Sequence, residues 1–124
     1  MTTALPQVRG KKGEEIAVRY LQSRGYDIVK RNARYKGGEI DIVAREKDEL
    51  VFVEVKSRST RTFGWPEEGV TQRKRRRMKL SAGLFLSSHR EYQGLAYRFD
   101  IMALELDEEA SKARVVHYKN IEMN

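Results

Sequence analysis

The alternation of apolar and polar residues is clearest in the stretch GGEIDIVAREKDELVFVEVKSR, residues 37–58. Apolar residues recur at alternating positions on both sides of a short polar segment, which predicts strands over residues 38–45 and 49–57 joined by a tight turn. Charged residues interrupt this pattern at Glu39, Asp41, Glu54 and Lys56. Three carboxylates and a lysine on one face of the most hydrophobic hairpin require an explanation, because like charges that face each other destabilise a sheet.

The rest of the pattern predicts two helices and three further strands. A helix covers KKGEEIAVRYLQSRGY and ends at Gly25, and a second helix covers residues 70–88. The further strands cover residues 26–35, 95–106 and 113–121. The order is therefore α-β-β-β-α-β-β, and a right-handed helical crossover makes the strands over 49–57 and 95–106 parallel neighbours. We expect an α/β fold with helices flanking a mixed sheet, preceded by a flexible tail over residues 1–9 and forming one domain over residues 10–124.

The register of the central hairpin places its charges in pairs. In an antiparallel hairpin the numbers of opposed residues add to a constant, and a turn centred on Lys47 and Asp48 makes that constant 95. Asp41 then faces Glu54 and Glu39 faces Lys56, with Cβ atoms ~4.5–5.5 Å apart. A divalent cation such as Mg²⁺ would offset the repulsion. The alternative is a solvated hairpin in which Lys56 pairs with Glu39 or Glu54.

One acidic residue of the first helix points towards the same region. Glu14 is followed at the helical spacings i+3, i+4 and i+7 by Ala17, Val18 and Leu21, so it lies on or beside the inward face. An inward carboxylate needs a partner or an ion. The alternative is a first-turn glutamate that the helix dipole favours.

Composition and charge add a candidate nucleic-acid surface. The chain has 124 residues, a net charge of +7 and no cysteine, which excludes disulfides, zinc–thiolate sites and cysteine nucleophiles. No acidic residue occurs between Gly69 and Arg90, and RKRRRMK at 73–79 has six basic residues in seven. Such segregation is typical of a nucleic-acid footprint, whereas a basic excess that serves solubility is the alternative.

The helical wheel separates the basic residues of the second helix. Gln72, Arg75, Arg76 and Lys79 point outwards, whereas Lys74 falls on the packed side and reaches towards the carboxylates. Residues predicted to bind nucleic acid are Arg58, Arg61, Gln72, Lys74, Arg75, Arg76 and Lys79. Phe63 and Trp65 are predicted either to stack on unpaired bases or to cover the core. No membrane-spanning run or secretion signal is evident, so we expect a cytoplasmic protein that does not enter membranes.

The charged positions resemble a nuclease motif. Glu14 and the pattern Asp41-x12-Glu54-Val55-Lys56 resemble the PD-(D/E)XK superfamily, and the layout is similar to that of archaeal Holliday-junction resolvases. The segments GEEIAVRYLQSRGY, RNARYKGGEIDIVA and VFVEVKSR resemble the YraN-type family of small bacterial proteins more closely. Ile40 stands where the superfamily motif has proline.

The resemblance implies a restriction-endonuclease-like fold and a catalytic set of Glu14, Asp41, Glu54 and Lys56. It implies that Asp41, Glu54 and the Val55 carbonyl bind Mg²⁺ or Mn²⁺, with Glu14 as a further candidate ligand, and that Lys56 activates water. It further favours DNA over RNA as the substrate, with branched or flapped DNA as candidate structures and a homodimer as the candidate assembly. The alternatives are a nucleic-acid-binding module of the same fold without catalytic activity of its own and a structural or regulatory protein whose hairpin charges are simple ion pairs.

Overall fold

The computed structural model describes residues 2–4, 12–59, 71–107 and 112–123. Within these ranges the chain forms two α-helices, α1 over Lys12–Ser23 and α2 over Gln72–Ser88, and a 3₁₀ turn over Arg90–Tyr92. The strands described there are β1 (Thr2–Ala4), β2 (Asp27–Tyr35), β3 (Gly38–Glu46), β4 (Glu49–Ser59), β5 (Ala96–Asp107) and β6 (Lys112–Tyr118).

All six strands form one mixed sheet in the order β1-β6-β5-β4-β3-β2. β4 and β5 are parallel neighbours, as predicted for strands joined by a helical crossover, and the other pairs are antiparallel. The predicted element order and the restriction-endonuclease-like α/β architecture are confirmed. No helix within the described ranges is long and apolar enough to cross a membrane.

The sequence did not reveal the first strand. Thr2–Ala4 lie within the segment predicted as a flexible tail, yet they form an edge strand antiparallel to Lys112–Arg114 of β6. Three residues are too few to show a period-two pattern, so only pairing with a neighbouring strand identifies them. Two of the three are threonines, whose β-branched side chains favour extended backbone.

The hydrophobic core lies in two layers, one on each face of the sheet. On the α1 side, Leu21 packs with Val51 and Val53 of β4, and on the α2 side Phe85 packs with Phe52 of the same strand. β4 thus alternates between the two layers, as its sequence pattern predicts. α1 ends at Ser23, and Gly25 just beyond it has a φ of +88°, the left-handed conformation that suits a residue without Cβ.

A buried polar network lies near the turn between β3 and β4. Asp100 is fully buried and accepts two hydrogen bonds from Arg98, at 3.0 and 3.2 Å, and one from the Asn120 backbone N–H at 2.9 Å. Its Oδ2 is also hydrogen-bonded to Nε2 of His117 at 2.7 Å. Burial alone would raise the pKa of Asp100, but the hydrogen bonds from His117 and Arg98 outweigh it and lower that pKa.

We predict that Asp100→Asn lowers the free energy of unfolding by about 3 kcal/mol, because it removes the fully buried counter-charge of Arg98, whose remaining ion pairs are with the partly exposed Glu46 and Glu49. Urea unfolding at pH 7 measures the change. Asp27→Asn, at an exposed position, is the control and should shift stability by less than ~0.5 kcal/mol. Similar losses in the two variants would mean that the network does not stabilise the fold.

Candidate functional site

Strands β3 and β4 separate at the end where the predicted site residues lie. Their ladder runs from the pair Glu46–Glu49 to the pair Ile42–Val53, and the opposed numbers add to 95, so the predicted register is confirmed over this part. Beyond Ile42–Val53 the described pairing of β3 is with β2 and that of β4 is with β5. We call this opening between the two strands the fork.

Within the fork the predicted charge pairs are replaced by other contacts. Glu39 is not opposite Lys56; it pairs across β2 with Arg34, and their side chains form an ion pair at 3.3 Å. Asp41 and Glu54 are not a ladder pair either, because the ladder has already ended. Instead, Oδ2 of Asp41 accepts a hydrogen bond from the backbone N–H of Val55 at 2.8 Å. The prediction assumed that the hairpin stays paired to its open end, and this was wrong.

The fork nevertheless brings the two predicted carboxylates into electrostatic contact. Burial, and next the charge of Glu54, raise the pKa of Asp41 from 3.8 to about 7. The Val55 N–H opposes this shift, whereas Glu14 and Glu39 add to it. Asp41 therefore occupies a half-buried position in which its own negative charge is disfavoured, and a cation would reverse that preference.

Two lysines supply positive charge at the same place. Nζ of Lys74, from the first turn of α2, lies 2.7 Å from Oε1 of Glu54, and both side chains are largely buried. Lys74 thus reaches the site from the packed side of its helix, as the helical wheel predicts. We call Asp41, Glu54, Lys56 and Lys74 the fork cluster.

The two lysines of the fork cluster hold their protons differently. Lys74 lowers the pKa of Lys56 through a hydrogen bond, and burial lowers it further. Burial also pulls the pKa of Lys74 down, but its hydrogen bond to Glu54 outweighs this and raises that pKa. Lys56 is therefore the member of the pair that releases its proton more readily.

Glu14 faces inwards, as predicted, but β2 holds its carboxylate. Oε1 of Glu14 accepts hydrogen bonds from Nδ2 of Asn32 at 3.0 Å and from Nε of Arg31 at 3.3 Å. Arg31 also donates to Glu15 at 3.0 Å. Sequence reasoning missed Arg31 and Asn32. The signal that could have pointed to this position is an asparagine inside a predicted strand. Asparagine tolerates a left-handed backbone, and Asn32 has a φ of 53°.

The donor set of the fork fits a small hard cation of the Mg²⁺ type. Asp41 and Glu54 offer carboxylate oxygens, and Mg²⁺ sites commonly use one or two carboxylates and several waters. Among the described residues no group of three or more His, Cys, Asp or Glu side chains is arranged to hold a metal ion. Because Lys74 is already paired with Oε1 of Glu54, a cation would have to bind Oε2 or displace Lys74. The Val55 carbonyl and Glu14 stay predicted ligands.

The predicted nucleic-acid-binding residues lie in different environments. Gln72, Arg76 and Lys79 are exposed on α2, whereas Arg75 is half-buried and not, as predicted, fully on the solvent face. Arg58 forms an ion pair with Glu105 of β5 at 2.9 Å, a contact set by the parallel pairing of β4 and β5. Arg61, Phe63 and Trp65 lie outside the described residues, so their roles stay predictions.

Comparison with known proteins places the chain among relatives of similar length. The model of the uncharacterised protein family UPF0102 matches residues 13–104. A UPF0102 protein of Desulforamulus reducens is 44% identical over 112 residues, covering 90% of this chain and 92% of the relative. A UPF0102 protein of Moorella thermoacetica is 46% identical over 107 residues, covering 86% of this chain and 88% of the relative.

Because the folded protein retains the Asp41 proton up to about pH 7 and the unfolded chain releases it near 3.8, we predict that stability falls as pH rises between these values. In EDTA, urea unfolding of the parent protein should show a loss of roughly 2–3 kcal/mol between pH 5 and pH 8, at ~1.4 kcal/mol per pKa unit. Asp41→Asn should remove this loss. Asp48→Asn, exposed in the turn, should retain it, and equal pH profiles for both variants would contradict the assigned environment.

Proposed function

The chain belongs to the uncharacterised protein family UPF0102, the YraN-type family that its sequence resembles, and from this membership and the geometry of the fork we propose that it is a metal-dependent nuclease. The reaction is the hydrolysis of phosphodiester bonds in DNA. The observation that carries the proposal is the fork cluster, in which two carboxylates and two lysines meet where the sheet opens.

The fork cluster suits phosphodiester hydrolysis because it combines a cation-binding pair with nearby positive charge. Asp41 and Glu54 would hold Mg²⁺ or Mn²⁺, together with the Val55 carbonyl and with Glu14 as a candidate further ligand. When bound, the cation withdraws charge from the phosphate and lowers the pKa of water. Asp41 is held in place for this role by the Val55 N–H.

Lys56 and Lys74 take the remaining roles. Lys56, whose pKa its hydrogen bond with Lys74 lowers, orients the attacking water beside the phosphate. The hydrogen bond to Glu54 raises the pKa of Lys74, and if Glu54 held the cation, the Lys74 ammonium group would be free to meet the phosphate. A positive charge there stabilises the transition state, in which negative charge builds up on the phosphoryl oxygens.

The resemblance to resolvases and the exposed basic residues of α2 support DNA, including branched DNA, as the substrate. Arg76 and Lys79 contact phosphates that flank the cut and so supply affinity without sequence preference. We further propose that the protein acts as a homodimer in the cytoplasm, in DNA repair or recombination, because a branched junction offers two symmetric positions for cleavage.

A specific observation favours a second candidate, a nucleic-acid-binding module without independent catalytic activity. Glu14 is engaged by Arg31 and Asn32, and Lys74 occupies Glu54, so no third acidic ligand joins the pair within the described residues. In this case a partner would have to complete the site. The two candidates differ in whether the isolated protein cleaves DNA.

We predict that the parent protein, incubated with Mn²⁺ or Mg²⁺, cleaves at least one member of a panel of linear, single-stranded, flapped and four-way DNA. Asp41→Asn should abolish cleavage, because it removes a carboxylate that binds the cation, while Asp48→Asn should cleave like the parent. Mn²⁺ should also raise the melting temperature of the parent and leave that of Asp41→Asn nearly unchanged.

Absence of cleavage together with retained binding would establish the second candidate. Loss of cleavage in both variants would point to a general effect of the substitutions, and an Mn²⁺ shift that persists in Asp41→Asn would place the cation elsewhere.

We predict that the double variant Arg76→Ala, Lys79→Ala weakens binding to all DNA sequences about equally. Each lost phosphate contact should reduce the slope of log affinity against log salt by ~0.9 on duplex DNA. Fluorescence anisotropy in EDTA between 50 and 200 mM salt gives the slopes. Arg19→Ala, an exposed change on α1, is the control, and an unaltered slope in the double variant would move the DNA-binding surface away from α2.

A further inference from the structure

A cavity opens directly beside the fork cluster. It lies between the tip of the β2–β3 hairpin and the first turns of α2, and its volume is about 430 Å³. This is within the ~300–1,000 Å³ range of sites for small molecules. Glu54 and Lys74 form part of its wall, so whatever enters the cavity lies next to the fork cluster.

The two sides of the cavity differ in chemistry. Arg34, Tyr35 and Glu39 line it from the hairpin, and Lys74 and Arg77 line it from α2. Glu39 is paired with Arg34 and Glu54 with Lys74, so Arg77 adds positive charge beyond these two ion pairs and attracts a phosphate to the helix side. Tyr35 makes the opposite side suitable for an aromatic base, since bases stack on tyrosine rings irrespective of sequence.

The surroundings hold the lining residues in position. Tyr35 packs in part against the α2-side core, and Nε of Arg77 donates a hydrogen bond to the Gly37 carbonyl at 3.2 Å, which ties the helix to the hairpin. Gly38 allows this close approach, because a Cβ at that position would lie 2.7 Å from Oγ of Ser81. The cavity is thus bounded by the hairpin on one side and by α2 on the other, and its volume of about 430 Å³ suits a small ligand such as a single nucleotide.

We propose that this cavity binds one unpaired nucleotide, with the base against Tyr35 and its phosphate towards Lys74 and Arg77. The inference rests on the proposed function, because the nucleotide would be the one adjoining the phosphate that is cut. It deepens that function by naming the substrate class: DNA with an unpaired nucleotide at the cleavage position, such as a flap or the edge of a branch, and not continuous duplex. A paired base could not enter without leaving its partner.

Binding measured without cleavage tests the proposal. Fluorescence anisotropy in EDTA compares a blunt duplex with the same duplex carrying a five-nucleotide single-stranded tail. The parent protein should bind the tailed duplex about 5- to 150-fold more tightly, the range expected for stacking of one base. Tyr35→Leu keeps an apolar side chain against the core and should remove the preference, and Tyr35→Phe should retain it. Tyr97→Leu, which changes an exposed tyrosine of β5, should also retain the preference.

Equal affinity of the parent for the two duplexes would overturn the proposal, and so would a preference that survives in Tyr35→Leu. Should Tyr35→Leu fail to fold, 2-aminopurine placed in the tail beside the junction tests the parent directly. Stacking on Tyr35 should quench the fluorescence of 2-aminopurine. Unchanged 2-aminopurine fluorescence at saturating protein overturns the proposal.

These outcomes are separate from those of the cleavage panel. If the parent cleaves DNA but shows no preference for the tailed duplex, the cavity proposal is wrong and the nuclease proposal stands. If the parent prefers the tailed duplex but cleaves nothing, the cavity proposal stands and the nuclease proposal is wrong.

Discussion

The hydrogen bond between the Val55 N–H and the Asp41 carboxylate is the contact on which the candidate site depends. Where β3 and β4 separate, the backbone groups of β4 that face the fork lose their partner strand, and a buried N–H without an acceptor is strongly disfavoured. Asp41 replaces the missing strand, because its Oδ2 accepts a hydrogen bond from the Val55 N–H with an N–O distance of 2.8 Å. The same contact orients the Asp41 side chain, so the opening of the sheet and the placement of the carboxylate have one physical cause.

This arrangement places the charges of Asp41 and Glu54 close together, where they contribute little to the stability of the fold. The charge of Glu54 disfavours the ionisation of Asp41, and Lys74 forms its ion pair with Glu54. In the neighbouring strand β5, Asp100 receives hydrogen bonds from Arg98, His117 and Asn120, and the hydrogen bonds from His117 and Arg98 keep its pKa low despite its burial. The contrast is typical of proteins that retain a destabilising site for function and stabilise the structure elsewhere.

Helix α2 connects the proposed roles, because successive residues point in directions about 100° apart. Lys74 enters the fork cluster, Arg77 lines the cavity and Arg76 lies on the exposed surface. A nucleic acid that contacts the outer face of α2 would therefore lie close to both the cavity and the carboxylates. The alignment rests on the contact between Gly38 and Ser81, where the hairpin packs closely against the helix.

The sequence by itself determined the features that depend on neighbours along the chain. Period-two and period-3.6 patterns were enough for the element order, the hairpin register from Ile42–Val53 to Glu46–Glu49, the inward direction of Glu14 and that of Lys74. Tertiary structure alone decided which distant residues meet. The strand pairings place Arg58 beside Glu105 and His117 beside Asp100. They also pair Glu39 with Arg34 instead of Lys56. Such pairs follow from the splaying of β3 and β4 and from the registers of the β2–β3, β4–β5 and β5–β6 pairs, and local periodicity carries no information about either.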